Sequence, residues 1–344
     1  MITLTTRPFG LGATLFTLTN SRGVAMDLTD FGATLVGLRV PDSKGHLADI
    51  TLGYDSAEGY ANGRSYFGCT VGRYGNRISH ASFEIEGQFY PLTANIPPHH
   101  LHGGTGGFHQ VLWSAQPIAG GVHFQRLSPH GEDGYPGNLT TDVRMTLNEA
   151  DELEIEYRAV TDAPTHLNLT NHAYFNLAGH DAGSILEHEM WIGSQATLAV
   201  DESILPNGEL FPVEGTPLDF GSSTRIGSRI DDPHPQMVRA GGYDHCFIFS
   251  GRRGDLRHIA TAADPASGRF MEVLTTEPGV QFYSGNFLDG SERGKGGKAY
   301  GYREGFCLET QHYPDTPHHP QFPSTLLHPG QIFSSTTIYR FGAR

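Results

Sequence analysis

The stretch VRMTLNEADELEIEY, residues 143–157, decides the fold class. Val143, Met145 and Leu147 alternate with Arg144 and Thr146. After a polar turn over residues 148–152, the alternation resumes at Leu153, Ile155 and Tyr157 with glutamates between them. A period of two on both sides of a turn predicts a β-hairpin with one buried face. Shorter runs of the same kind lie at residues 15–19, 24–28, 34–40 before the turn PDSKG, and 83–86 before Gly87-Gln88. The 344 residues include 44 glycines and 21 prolines, well above the usual share of about 12%, so turns are many. No window repeats apolar residues at helical spacing over three turns behind a cap, which predicts few and short helices. Evenly spaced strands without βαβ alternation predict an all-β protein of mostly antiparallel sheets, a large sandwich or barrel. No fixed-period repeat, low-complexity tract or linker interrupts the chain. Residues 1–344 are therefore read as a single domain, which all-β proteins of this length permit.

Composition excludes several classes of function. A net charge of -14 and a pI near 5.7 leave no clustered basic surface for nucleic acid, so the expected partners are small and neutral. Cys69, Cys246 and Cys307 are odd in number and widely spaced, which fits neither a disulfide framework nor a zinc knuckle. They are expected to be reduced. The start MITLTTRPFG lacks a basic segment followed by an apolar run, and no stretch approaches membrane-spanning length. A cytoplasmic protein without membrane contact is the expectation.

Against this β background, five polar clusters stand out. LNLTNHAYFNLAG (167–179) sets Asn168, Asn171, His172, Tyr174 and Asn176 among apolar residues. Buried polar side chains are costly without partners, so the segment is expected to line a polar site. His172 is its candidate general acid, because imidazole carries and releases a proton near neutral pH. GRYGNRI (72–78) offers Arg73, Asn76 and Arg77 as donors, or is a turn with surface arginines. In PPHHLHGGTGGF (97–108), His100 and His102 flank Leu101. On a strand they would share a face, as metal ligands or sugar donors do; solvated loop histidines are the alternative. Asp244 begins an apolar run, where a turn aspartate is also common. Glu309, in FCLETQHYPD (306–315), sits at or near the end of a buried strand. A carboxylate there is either paired and structural or a base tuned by burial.

The order GRYGNRI, LHGG, GYPGNL (134–139), TNHAYFNL, YDH, PGVQFYSGNF (278–287) and CLETQHYPD resembles the aldose 1-epimerase family, from about Thr34 to residues 332–341. The resemblance implies a single large β-sandwich that interconverts the α and β anomers of free hexoses such as galactose and glucose, with no metal and no cofactor. Either a monomer or a homodimer is expected, and the sequence does not choose between them. By position the resemblance makes Glu309 the general base and His172 the general acid. It gives Asn76, Arg77, His102, Asp244 and Gln281 the task of holding the sugar. Three departures are visible: Gly75 where alanine is common, His130 where aspartate is common, and His109-Gln110 where an acidic and a basic residue are frequent. They fall outside the catalytic set and bear on substrate preference.

Mutarotation needs the C1 hydroxyl to lose a proton while the ring oxygen gains one. A carboxylate and a protonated imidazole, expected on opposite sides of the ring, would each contribute roughly 10² to 10⁴ in rate. The acid limb of the pH profile would then belong to Glu309 and the alkaline limb to His172, unless the two titrate together. Three other readings compete. A cupin-like metalloenzyme would use His100 and His102, but Thr105 and Gly106 stand where its glutamate should fall. A glycoside hydrolase would pair Asp244 with Glu309. A sugar-binding module would bind galactose without speeding its equilibration.

Overall fold

The alternation of residues 143–157 becomes two strands, Leu139–Leu147 and Glu152–Thr161. Val143 lies opposite Tyr157, Met145 opposite Ile155 and Leu147 opposite Leu153. These six side chains are buried while Arg144 and Glu156 face water. Each buried apolar side chain is worth about 1.5–3 kcal/mol. A slip of one residue would turn the three apolar side chains of the slipped strand outward, so this hairpin's register is firmly set.

The computed structural model describes residues 1–252 and 254–344. Strand accounts for 45% of it and helix for 9%, as the periodicity predicts. The α-helices are the six-residue segments Ala57–Asn62 and Pro235–Ala240. Among the described residues, no helix is long and apolar enough to cross a membrane.

The hairpin belongs to a nine-stranded sheet that also contains Phe333–Ala343 and Arg269–Thr275. A six-stranded sheet packs against it, in the order Tyr174–Phe175, Phe306–Gln311, Gly279–Tyr283, Asp244–Ile248, Ala196–Val200, Pro206–Pro212. Its inward side chains Phe306, Leu308, Val280, Phe282 and Phe247 join one apolar cluster with Met145, Ile155, Val273 and Tyr339. Tyr339 donates its hydroxyl to the Leu308 carbonyl at 3.1 Å, and Thr310 meets Thr337 at 2.6 Å. A five-stranded antiparallel sheet, from Thr3–Gly10 to Leu47–Asp49, joins the same cluster through Phe16, which packs edge-on against Phe124.

Because strand side chains alternate, burying Phe306, Leu308, Val280 and Phe282 between the sheets turns Cys307, Glu309, Gln281 and Tyr283 to the other face. That face carries the candidate site.

Candidate active site

Register brings the acidic residues together. Gln281 pairs directly with Glu309 and Asp244 with Tyr283. Gln281 donates from Nε2 to Oδ1 of Asp244 at 2.6 Å. Glu309, expected near a strand end, lies within strand Phe306–Gln311. A cavity of about 280 Å³ opens above these residues, lined by Asn76, Arg77, His102, His172, Asp244 and Glu309 among others. Six of the seven expected site residues thus share one cavity. The seventh, Gln281, does not line it and reaches it through Asp244.

The facing wall comes from GRYGNRI and the loop after His100. Arg77 sets Nη2 3.6 Å from Oδ2 of Asp244, and its backbone N–H donates to Oδ1 of Asn76 at 2.8 Å. Asn76 and His102 both hold left-handed backbone, at φ 66° and 52°, a conformation uncommon outside glycine and concentrated at functional sites. They are bonded twice: His102 N–H to the Asn76 carbonyl, and Asn76 N–H to Nδ1 of His102, each at 3.1 Å. Gly103 lets this loop approach, since a Cβ there would fall 1.9 Å from the Gly72 carbonyl oxygen. Arg73 plays no part in the cavity. Its guanidinium is buried against Ser128, Pro129 and Pro136.

The shared face expected of His100 and His102 is not formed. The strand stops at Leu101, and the left-handed turn at His102 sends the two rings apart. His100 donates from Nδ1 to the Thr93 carbonyl and accepts the Tyr135 hydroxyl at Nε2, both at 2.7 Å. It is a satisfied structural histidine.

The segment 167–179 solves its burial problem differently from the expectation. Its asparagines are paired with backbone: Asn168 with Gly75 and His312, Asn171 with Gly68 and Ala173, Asn176 with Gly183, Glu304 and Ala178. They are fasteners, and His172 and Tyr174 are the members that reach the cavity. Asn168 also grips Gly75, whose N–H and carbonyl both bond to it. The His172 ring lies between Tyr66 and Tyr174, with centroids 5.8 and 5.0 Å away and planes tilted by 21° and 20°. Its Nε2 faces Oε1 of Glu309 at 3.7 Å.

Burial sets the charges. Glu309 is pushed well above the usual carboxylate range by burial and then by Asp244, against the pull of Arg77. Asp244 is also raised by burial, with Arg77 and Gln281 opposing. Burial lowers His172 to about 4. His102 falls well below its ordinary value through burial and then the neighbouring His172. Both rings are neutral near pH 7 in the free enzyme.

His102, His172 and Glu309 bring three possible metal-ligand atoms within 4.8 Å of one another, a set whose composition suits a divalent ion. The hydrogen bonds oppose it. Nδ1 of His102 accepts the Asn76 N–H, so the neutral ring keeps its hydrogen on Nε2 and offers a donor there, with no lone pair for a metal. A ring fixed in that way suits a sugar oxygen.

The cavity mouth contains residues that the sequence reading missed. Tyr66, at φ 56°, packs against His102 and His109 at 4.8 and 4.7 Å. The departure at His109 therefore touches the wall of the site. His130 instead accepts the Gly137 N–H, away from the cavity lining. Glu292 ties the two mouth loops, accepting from Tyr54, the Arg64 backbone and Ser65. Arg64 lines the cavity, while Arg303 lies outside that lining and is held by Asp231 at 2.8 Å.

Comparison with known proteins identifies the family. A family model described as aldose 1-epimerase matches residues 14–340. The chain belongs to the aldose 1-epimerase family. Galactose mutarotase from Bos taurus is 43% identical over 334 residues, 97% of this chain and 96% of that protein. Aldose 1-epimerase from Escherichia coli K12 is 36% identical over 339 residues, 97% and 96% of the two chains. Among solved structures, galactose 1-epimerase from Lactobacillus acidophilus superposes with a TM-score of 0.85 at 26% identity, covering 100% of this chain and 99% of that one. An aldose epimerase homologue from C. elegans gives 0.87 at 29%, covering 94% and 97%. The epimerase family's fold extends over the sheets that build the cavity.

Proposed function

We propose that this chain is an aldose 1-epimerase that interconverts the α and β anomers of free aldohexoses such as galactose and glucose, with Glu309 as base and His172 as acid. The observation that carries the reading is the meeting of these two groups at 3.7 Å in one cavity. At about 280 Å³, the cavity lies just below the usual range of ligand sites, about 300–1,000 Å³, and suits a single sugar ring.

The spacing revises the expected approach. A ring between acid and base would need about 3.5–4 Å on each face, and 3.7 Å in all leaves no room. Glu309 and His172 must therefore address one edge of the sugar, where O1 and the ring oxygen are bonded to the same carbon. Glu309 takes the O1 proton, the C1–O1 bond becomes a carbonyl, the bond from C1 to the ring oxygen breaks, and His172 protonates the released oxygen. Rotation about C1–C2 and the reverse steps give either anomer. Arg77, Asp244, His102 and Asn76 position the hydroxyls, and Gln281 holds Asp244.

The proton inventory closes over the cycle. Opening starts from ionised Glu309 and protonated His172 and ends with neutral Glu309 and neutral His172. The second arrangement is the one burial favours, so the open-chain step leaves the pair in its preferred state. Reclosure restores the first.

All these side chains come from one chain, an arrangement that fits either a monomer or a homodimer. We read residues 1–344 as one domain because a single apolar cluster runs from Phe16 to Phe341. A glycoside hydrolase using Asp244 and Glu309 is disfavoured, since Gln281 and Arg77 bind the Asp244 carboxylate. Polarimetry on freshly dissolved α-galactose and α-glucose tests the proposal. Accelerated equilibration supports it; a rate equal to the buffer blank rejects it.

A further inference from the structure

His172 is held on three sides, and the third holder has no role in the reaction so far. Tyr66 and Tyr174 fix the plane of the ring, and neither can choose which nitrogen carries hydrogen. In that plane, Nδ1 of His172 meets Sγ of Cys307 at 3.6 Å, within hydrogen-bond range for sulfur. Cys307 is fully buried and does not line the cavity, so it cannot touch the sugar. Across the sheet it pairs with Tyr174, two residues beyond His172.

The spacing along the strand makes the contact more than incidental. Cys307 and Glu309 are two residues apart on strand Phe306–Gln311, so both point to the same face about 6.5–7 Å apart. One takes the Nδ1 end of the imidazole and the other faces the Nε2 end. The thiol is raised well above its ordinary range, first by burial and then by Glu309 and Asp244. It stays a neutral S–H, a partner that orients the ring without the charge a carboxylate would add.

We propose that Cys307 is a positioning residue that accepts the Nδ1 hydrogen of His172 and so keeps Nε2 as the working nitrogen. The inference rests on His172 being the acid. The protonated ring gives its Nε2 proton to the sugar ring oxygen and becomes the neutral Nδ1–H form. Its Nε2 lone pair then lies ready to take the same proton back on reclosure. A ring left in the opposite neutral form would present a hydrogen where the closing step needs a lone pair. The hydrogen bond made by one ring nitrogen sets the state of the other, and the partner here is sulfur.

The test is two-bond proton–nitrogen NMR of the labelled, sugar-free enzyme near pH 7, with the His172 signals assigned by their loss in His172→Asn. The wild type should show the Nδ1–H form. Cys307→Ala should shift the population toward Nε2–H. It should also lower kcat about 3- to 10-fold, the size of one modest hydrogen bond, with KM unchanged. Cys307→Ser, which restores an acceptor, should recover the Nδ1–H form and most of kcat. A wild-type ring in the Nε2–H form overturns the proposal without any variant. So does an alanine variant that keeps Nδ1–H and full kcat, which would leave the task to the His172 backbone, which also favours the protonated ring. The underlying acid assignment fails separately, if His172→Asn retains near-normal kcat.

Discussion

Nε2 of His172 lies 3.7 Å from Oε1 of Glu309, and burial drives their proton affinities in opposite directions, the carboxyl well up and the imidazole down to about 4. The free pair therefore holds its single proton on Glu309. This reverses the limb assignment expected from ordinary side-chain values. As pH falls through about 4, His172 gains a second proton for the pair, no base remains and activity drops. As pH rises through the raised value of Glu309, the last proton leaves, no acid remains and activity drops again. The profile of kcat/KM should be a bell, and NMR titration of the free enzyme should find the His172 ring changing on its acid side. A ring titrating on the alkaline limb would restore the ordinary assignment.

Chelation should not touch the rate. His102 spends its Nδ1 lone pair on the Asn76 N–H, which leaves a donor in place of a ligand. Prolonged EDTA treatment should therefore leave polarimetric activity unchanged. Loss of activity restored by zinc or manganese would return the His102, His172 and Glu309 cluster to a metal role.

Arg77→Ala should act on binding and chemistry together. The guanidinium lines the cavity and supports the buried Asp244 carboxylate at 3.6 Å. Loss of one charge-assisted bond, about 1.5–3 kcal/mol, corresponds to a fall of roughly 10- to 100-fold in kcat/KM, with KM raised. Steady-state kinetics showing an unchanged KM would remove Arg77 from the clamp.

Free hexoses should be preferred to hexose phosphates. Arg64 at the mouth is accompanied by Asp289 and Glu292 in the cavity lining, and Arg303 is engaged by Asp231. A phosphate finds no bidentate cradle there. A higher kcat/KM for glucose 6-phosphate than for glucose would contradict this charge reading.

How far the sequence revealed the site depended on where each residue sits. Period-two alternation carried the fold at 143–157, and in hindsight the same rule puts Gln281 and Glu309 on one face of their strands. It failed at His102, because a left-handed φ sends the ring away from His100 and no pattern of apolar residues records that turn. The cost of burying polar groups pointed Asn168, Asn171 and Asn176 toward a polar site, whereas each is satisfied by backbone groups, some two residues away and others more than ninety. Tyr66, Arg64 and Glu292 gave no signal, since they lie in loops without periodicity, and Glu292 meets the loop of Arg64 and Ser65 only through hydrogen bonds across more than 220 residues of sequence. The resemblance by family motifs named Glu309 and His172 as the candidate base and acid, but it could not supply the 3.7 Å between them on which the proposed approach to the sugar rests.

The most direct test is kcat of Glu309→Gln, measured by polarimetry beside galactose binding to the same variant. Glutamine keeps the size and a hydrogen-bonding group in the buried site but cannot accept the O1 proton. The expected result is a kcat lower by on the order of 10² or more with galactose still bound. A near-normal kcat would contradict the assignment and move the search for the base to Asp244.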